Sequence, residues 1–63
     1  MDGLATCRKA AGLTQAALAA ILGVSQAAVA AWESGAKLPS AHKLPAIAEA
    51  LSCTIDDLYN VPA

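Results

Sequence analysis

The stretch QAALAAILGVSQAAVAAWES, residues 15–34, holds three positions whose side chains are small or branched for a steric reason. Ala19 sits where a second helix has to cross nearly in contact, and a larger side chain would push the two apart. Gly23 follows the periodic run Leu18, Ile21 and Leu22, where a helix ends in the left-handed conformation that glycine adopts at little cost. Val24 then folds back onto the first helix. Ser25 supplies a side-chain oxygen for an orphan amide at the start of the next helix. On that helix Val29 and Trp32, three apart, point inward, while Gln26, Ala27, Ala30, Ala31 and Ser34 gather on the other side.

Ala19, Gly23 and Val29 at these spacings, with Leu18, Leu22, Val24 and Trp32 between them, form the pattern that a helix-turn-helix needs. In that motif the outer side of the second helix enters the major groove of DNA. Periodicity alone fits an ordinary pair of packed helices equally well. The placing of the three special residues is what favours a DNA reader.

The chain has 63 residues, enough for one domain, and a chain of this size buries only about 60% of the surface it exposes unfolded. Its composition is 57% hydrophobic, but much of that is alanine, which favours helix without adding core volume. Phe is absent, and Trp32 and Tyr59 are the aromatics. An all-helical fold with thin packing follows. No apolar run approaches the ~20 residues that span a bilayer, and the first residues lack the basic-then-apolar order of a secretory signal, so a cytoplasmic protein is expected. Cys7 and Cys53 are too few and too distant in sequence for a zinc motif, and read as small buried hydrophobes. No metal or cofactor is expected. One histidine, His42, no paired carboxylates and no glycine-rich phosphate loop argue against an enzyme.

The net charge of −1 looks wrong for a DNA binder until the charges are placed. Arg8, Lys9, Lys37 and Lys43 face only Glu33 within residues 8–43, whereas residues 44–63 hold Glu49, Asp56 and Asp57 without a cation. Positive charge therefore accompanies the motif.

Working outward, Asp2 opens a first helix with Leu4, Cys7 and Arg8 inward, ending near Gly12. Thr14 caps the second helix, with Gln15 first in it. Gly35 stops the third, and residues 36–39 form a loop. Ser40 is expected to N-cap a fourth helix that faces the core through Leu44, Ile47, Ala48 and Leu51, with Pro45 absorbed in a distorted first turn. Thr54 and Asp57 have the spacing of a capping box for a short fifth helix, in which Leu58 faces in. Residues 60–63 read as a short tail, and 1–63 as a single domain.

With the helices laid out, the chain resembles the lambda-repressor-like (Cro/XRE-type) helix-turn-helix family from about Leu4 to Tyr59. The resemblance rests on Leu13-Thr14-Gln15, Leu18-Ala19, Leu22-Gly23-Val24-Ser25, Trp32-Glu33-Ser34-Gly35, Pro39-Ser40 and Ile47-Ala48. It implies a compact five-helix DNA-binding domain. It also implies an ion pair between Arg8 and Glu33, tying the first helix to the third. Gln15 matches the family glutamine that approaches a phosphate at the start of helix two, a role that the free amides of a helix start support independently. Gln26 matches the first exposed residue of the recognition helix, where glutamine can bond adenine N6 and N7.

Base contacts are thus expected from Gln26, Ala27, Ala30 and Ala31, and phosphate contacts from Gln15, Ser25, Ser34, Lys37, Lys9 and Lys43. Most relatives carry larger polar or basic residues where this chain has Ala27, Ala30 and Ala31. Methyl groups meet thymine methyls but form no bidentate pair, so specificity is expected to be modest per half-site or to lean on DNA shape and on the spacing of two copies. The family often dimerises through its C-terminal region, here Leu58, Tyr59, Val61 and Pro62. The expectation is a homodimeric transcriptional repressor working by operator occupancy, with no evident small-molecule effector. The rival reading is a protein–protein interaction module of the same fold, antitoxin-like or bound to a regulator, using the alanine-rich face.

Overall fold

The computed structural model describes residues 1–59. Five α-helices run in order: α1 Asp2–Ala10, α2 Gln15–Leu22, α3 Gln26–Ser34, α4 Leu44–Leu51 and α5 Ile55–Tyr59, with a 3₁₀ turn at Ala41–Lys43 before α4. The described residues include no strand, so the all-helical expectation holds.

Three of the connections are built the same way, from a residue with positive φ, an apolar residue and a hydroxyl. They are Gly12-Leu13-Thr14, Gly23-Val24-Ser25 and Ser52-Cys53-Thr54, with φ of 75°, 70° and 53° at their first residues. In each, the apolar residue's N–H reaches back five positions, Leu13 to Arg8, Val24 to Ala19 and Cys53 to Ala48, at 3.0–3.1 Å. The first residue's N–H reaches back three, Gly12 to Lys9, Gly23 to Ala20 and Ser52 to Glu49. These two bonds satisfy carbonyls that a helix end leaves orphaned, and they turn the apolar residue back toward the helix just ended. Leu13, Val24 and Cys53 accordingly pack against the core. The hydroxyls then accept amides of the next helix: Thr14 from Ala17 at 3.0 Å, Ser25 from Ala28 at 3.1 Å and Thr54 from Asp57 at 3.1 Å. The Thr54 N–H donates in return to Asp57 Oδ2 at 3.2 Å, completing the expected capping box.

The core is assembled from one face of each helix. Leu4, Leu18, Val29, Ile47 and Leu58 are completely buried, with Trp32, Leu44 and Leu51 around them. Ala19 is buried at the crossing of α2 and α3, whose axes turn through 114°, within the range of a helix-turn-helix. No single helix among the described residues is long and apolar enough to cross a membrane.

One boundary differs from expectation. Ser40 precedes the 3₁₀ turn and makes no side-chain capping bond; α4 begins only at Leu44, so Pro45 lies in its first turn, where a missing N–H leaves no bond unmade. Asp2 opens α1 as expected, with Met1 in the capping position and no side-chain bond there.

Candidate nucleic-acid interface

The orientation of α3 follows from what it buries. Val29 and Trp32 point into the core, Gln26 and Ala27 are exposed at its start, Ala30 and Ala31 are half-buried, and Ser34 is exposed at its end. Of the four candidate base-contacting residues, Gln26 and Ala27 therefore stand furthest out. Ser25 spends one lone pair on the Ala28 N–H and keeps its hydroxyl proton to donate.

The far end of α3 is anchored by a polar network. Arg8 Nε donates to Glu33 Oε2 at 2.6 Å and Arg8 Nη2 to Oε1 at 3.2 Å, a two-point pair whose side chains are only 11% and 10% exposed. Arg8 Nη1 donates to the Leu13 carbonyl at 2.8 Å, so one guanidinium fastens both α3 and the α1–α2 corner to α1. The ion pair implied by the resemblance is present and largely shielded from water. Burial alone would push the Glu33 carboxyl up; the hydrogen bonds from Arg8 and Gln15 and the charges of Arg8 and Lys9 outweigh it and hold the pKa below the ordinary value. Its hydrogen bond to Glu33 raises Arg8.

Gln15 brings a bond that residue patterning did not anticipate, since its side-chain Nε2 donates to Glu33 Oε1 at 3.1 Å. The start of α2 is thereby held against the last turn of α3. A carboxamide nitrogen carries two hydrogens, so this bond leaves one N–H for another acceptor. Ser34, a candidate phosphate donor, is turned back on its own helix end: its hydroxyl donates to the Ala31 carbonyl at 3.1 Å and accepts from the Ala36 N–H at 3.3 Å. In this conformation its proton is engaged at the end of its own helix.

The cations divide. Lys9 lies near enough to the Glu33 carboxylate to stabilise its charge and is itself exposed. Lys37 is exposed in the loop after α3, and Lys43 is half-buried in the 3₁₀ turn. Gln15, Arg8, Lys9 and Glu33 thus come together, whereas Lys37 and Lys43 stand on other elements. Among the C-terminal dimerisation candidates, Leu58 is completely buried in the core of its own chain and has no surface to offer a second copy, which corrects its assignment. Tyr59 is 49% exposed; Val61 and Pro62 lie outside the described residues.

A family model described as helix-turn-helix matches residues 4–58. The chain is 44% identical over 57 residues to the cryptic phage CTXphi transcriptional repressor RstR of Vibrio cholerae serotype O1, an alignment that covers 90% of this chain and 51% of that protein. The chain thus spans about half the length of that curated relative. No solved structure matches.

Proposed function

The chain belongs to the helix-turn-helix family of Cro/C1 type, and from that membership we propose that it is a sequence-selective transcriptional repressor that occupies an operator with α3 in the major groove. The observation that carries this reading is the exposed start of α3, where Gln26 and Ala27 project while Arg8 and Glu33 hold the other end of the helix. In the proposed complex Gln26 bonds an adenine edge, and Ala27, with the half-buried Ala30 and Ala31, meets thymine methyls. The Ser25 hydroxyl, the second N–H of Gln15 and the ammonium groups of Lys9, Lys37 and Lys43 face phosphates.

So few cations give one subunit a weak grip, which fits a homodimer reading two half-sites about 34 Å apart. Residues 1–63 act in this reading as one cytoplasmic domain needing no cofactor or effector. Repression is consistent with the similarity to the Vibrio transcriptional repressor.

A specific observation favours a second reading, a protein-binding module. Beyond Gln26 the candidate base-contacting positions of α3, Ala27, Ala30 and Ala31, offer methyl groups, which discriminate bases poorly. The two separate in a mobility-shift titration on duplexes selected from a random pool. Operator reading requires a selected sequence and an affinity that falls with salt at about −0.9 per neutralised phosphate. Gln26→Ala is expected to relax preference at one base position, and Lys37→Ala to weaken all sequences alike and flatten the salt slope. Absence of salt-sensitive binding to every duplex would overturn the repressor reading in favour of the module.

A further inference from the structure

We propose that Cys7 and Cys53 form a dithiol site that exchanges with a small-molecule disulfide, closing a covalent link between α1 and the α4–α5 corner. The inference is independent of the DNA reading. The corner triplet that places Cys53 has Leu13 and Val24 at the matching position of the other two corners. Packing asks there for an apolar residue, and a thiol meets that need while adding a reactive sulfur. Its N–H is fixed to the Ala48 carbonyl at 3.0 Å, which sets its direction. Cys7 lies on α1 with its sulfur 3.8 Å from the Asp57 carbonyl oxygen of α5, the helix that the Cys53 corner leads into. The two cysteines line one open cleft of about 530 Å³, together with Ala10, Ala11, Ile21 and Ala50. Both are reduced.

The cleft is large enough for a peptide-sized disulfide. Burial, the neighbouring Cys7 thiol and the Asp57 carboxylate push the Cys53 thiol up to about 11, so the site is slow at neutral pH rather than hair-triggered. Cys53, half-buried, is the more accessible sulfur. As the thiolate it attacks one sulfur of the small disulfide; that S–S bond breaks, and one small thiolate leaves with the electron pair. Cys7, having lost its own proton, then attacks the Cys53 sulfur of the mixed disulfide and expels the second. Two protein S–H bonds are exchanged for one S–S bond, and the oxidant is reduced to two thiols.

The test incubates the chain with glutathione disulfide at about pH 8.5, quenches with acid, and measures intact mass before and after iodoacetamide. The expected product is a monomer lighter by two hydrogens, without alkylatable thiol, reverting in dithiothreitol. Its thermal midpoint should rise by on the order of 10 °C, the cross-link closing a long loop. Cys53→Ser and Cys7→Ser should each stop at a single glutathione adduct, and the wild-type mass decides the matter if either fails to fold. Two alkylatable thiols after exhaustive treatment, a persistent adduct on the wild-type chain, or a covalent dimer would each overturn the proposal.

Discussion

The corner between α2 and α3 and the corner between α4 and α5 share one backbone plan, yet Gly23 makes the first turn and Ser52 the second. Their hydrogen bonds match: Val24 to Ala19 and Gly23 to Ala20 in one, Cys53 to Ala48 and Ser52 to Glu49 in the other. Both enter a following helix capped by a hydroxyl. The left-handed turn is therefore demanded by the packing of the two helices it joins, and the residue at the turn decides only what that demand costs. A non-glycine residue in this conformation costs roughly 1–2 kcal/mol, and Ser52 carries that strain where Gly23 does not.

The comparison breaks most visibly at what braces each corner. The α2–α3 pair is clamped by Arg8, Glu33 and Gln15, whereas the α4–α5 pair closes over Leu51 and Leu58 with the Thr54–Asp57 box. Glu33→Ala leaves a shielded guanidinium without its partner and is expected to lose about 3 kcal/mol in urea unfolding. The effect carries a pH signature. Folded Glu33 titrates below its ordinary value, so its contribution is fully present above the unfolded carboxylate's pKa of about 4.3 and is lost as pH falls through the folded value. Wild-type stability should therefore drop more steeply than that of Glu33→Gln as pH falls below about 5. Parallel curves would mean that the brace contributes nothing through its charge.

A smaller loss sharpens the contrast at the turn itself. A Cβ added at Gly23 meets no atom within 4 Å, so the penalty of Gly23→Ala is conformational alone, about 1–2 kcal/mol. It should appear as a lower urea midpoint with an unchanged slope. A changed slope would point to a rearranged corner rather than a strained one.

The same contrast explains which parts were legible in the sequence. Gly12, Gly23, Thr14, Ser25 and Thr54 announce their corners because their chemistry is specific to those positions, and the buried faces of α2, α3 and α4 follow from spacing. Ser52 carries no left-handed signal, so the third corner shows only by analogy with the other two: a small residue, an apolar one, a hydroxyl. Ser40 has a cap's chemistry but opens a 3₁₀ turn instead, the α-helix waiting for Leu44 and Pro45. At the candidate site, the Arg8–Glu33 pair was readable through the resemblance. The bond from Gln15 to Glu33 was not, because a polar residue at a helix start serves a phosphate as well as a neighbour. The 114° crossing of α2 and α3 brings it to Glu33, and the spacing that announces the motif does not say which side chains the crossing joins. Cys7 and Cys53 stayed separate for a related reason: the fold that joins them leaves no spacing rule between them.

The smallest expected effect runs in the opposite direction. Ser52→Gly keeps the turn's two backbone hydrogen bonds and removes the steric penalty of φ 53°, a gain of roughly 1–2 kcal/mol. Against that stands the greater freedom of glycine in the unfolded chain, which takes back about 0.4–1 kcal/mol. The balance is a stabilisation of about 0.5–1 kcal/mol, a rise of several degrees in thermal midpoint for a domain of this size. Ser52 is exposed, so little packing is given up with its side chain. Ser52→Ala separates the two contributions, since alanine retains the steric penalty and should leave the midpoint at or below that of the wild type. If glycine instead lowered the midpoint, the serine hydroxyl would be contributing more than the strain it tolerates. The two corners would then differ in kind, one held by a permissive backbone and the other by a side chain.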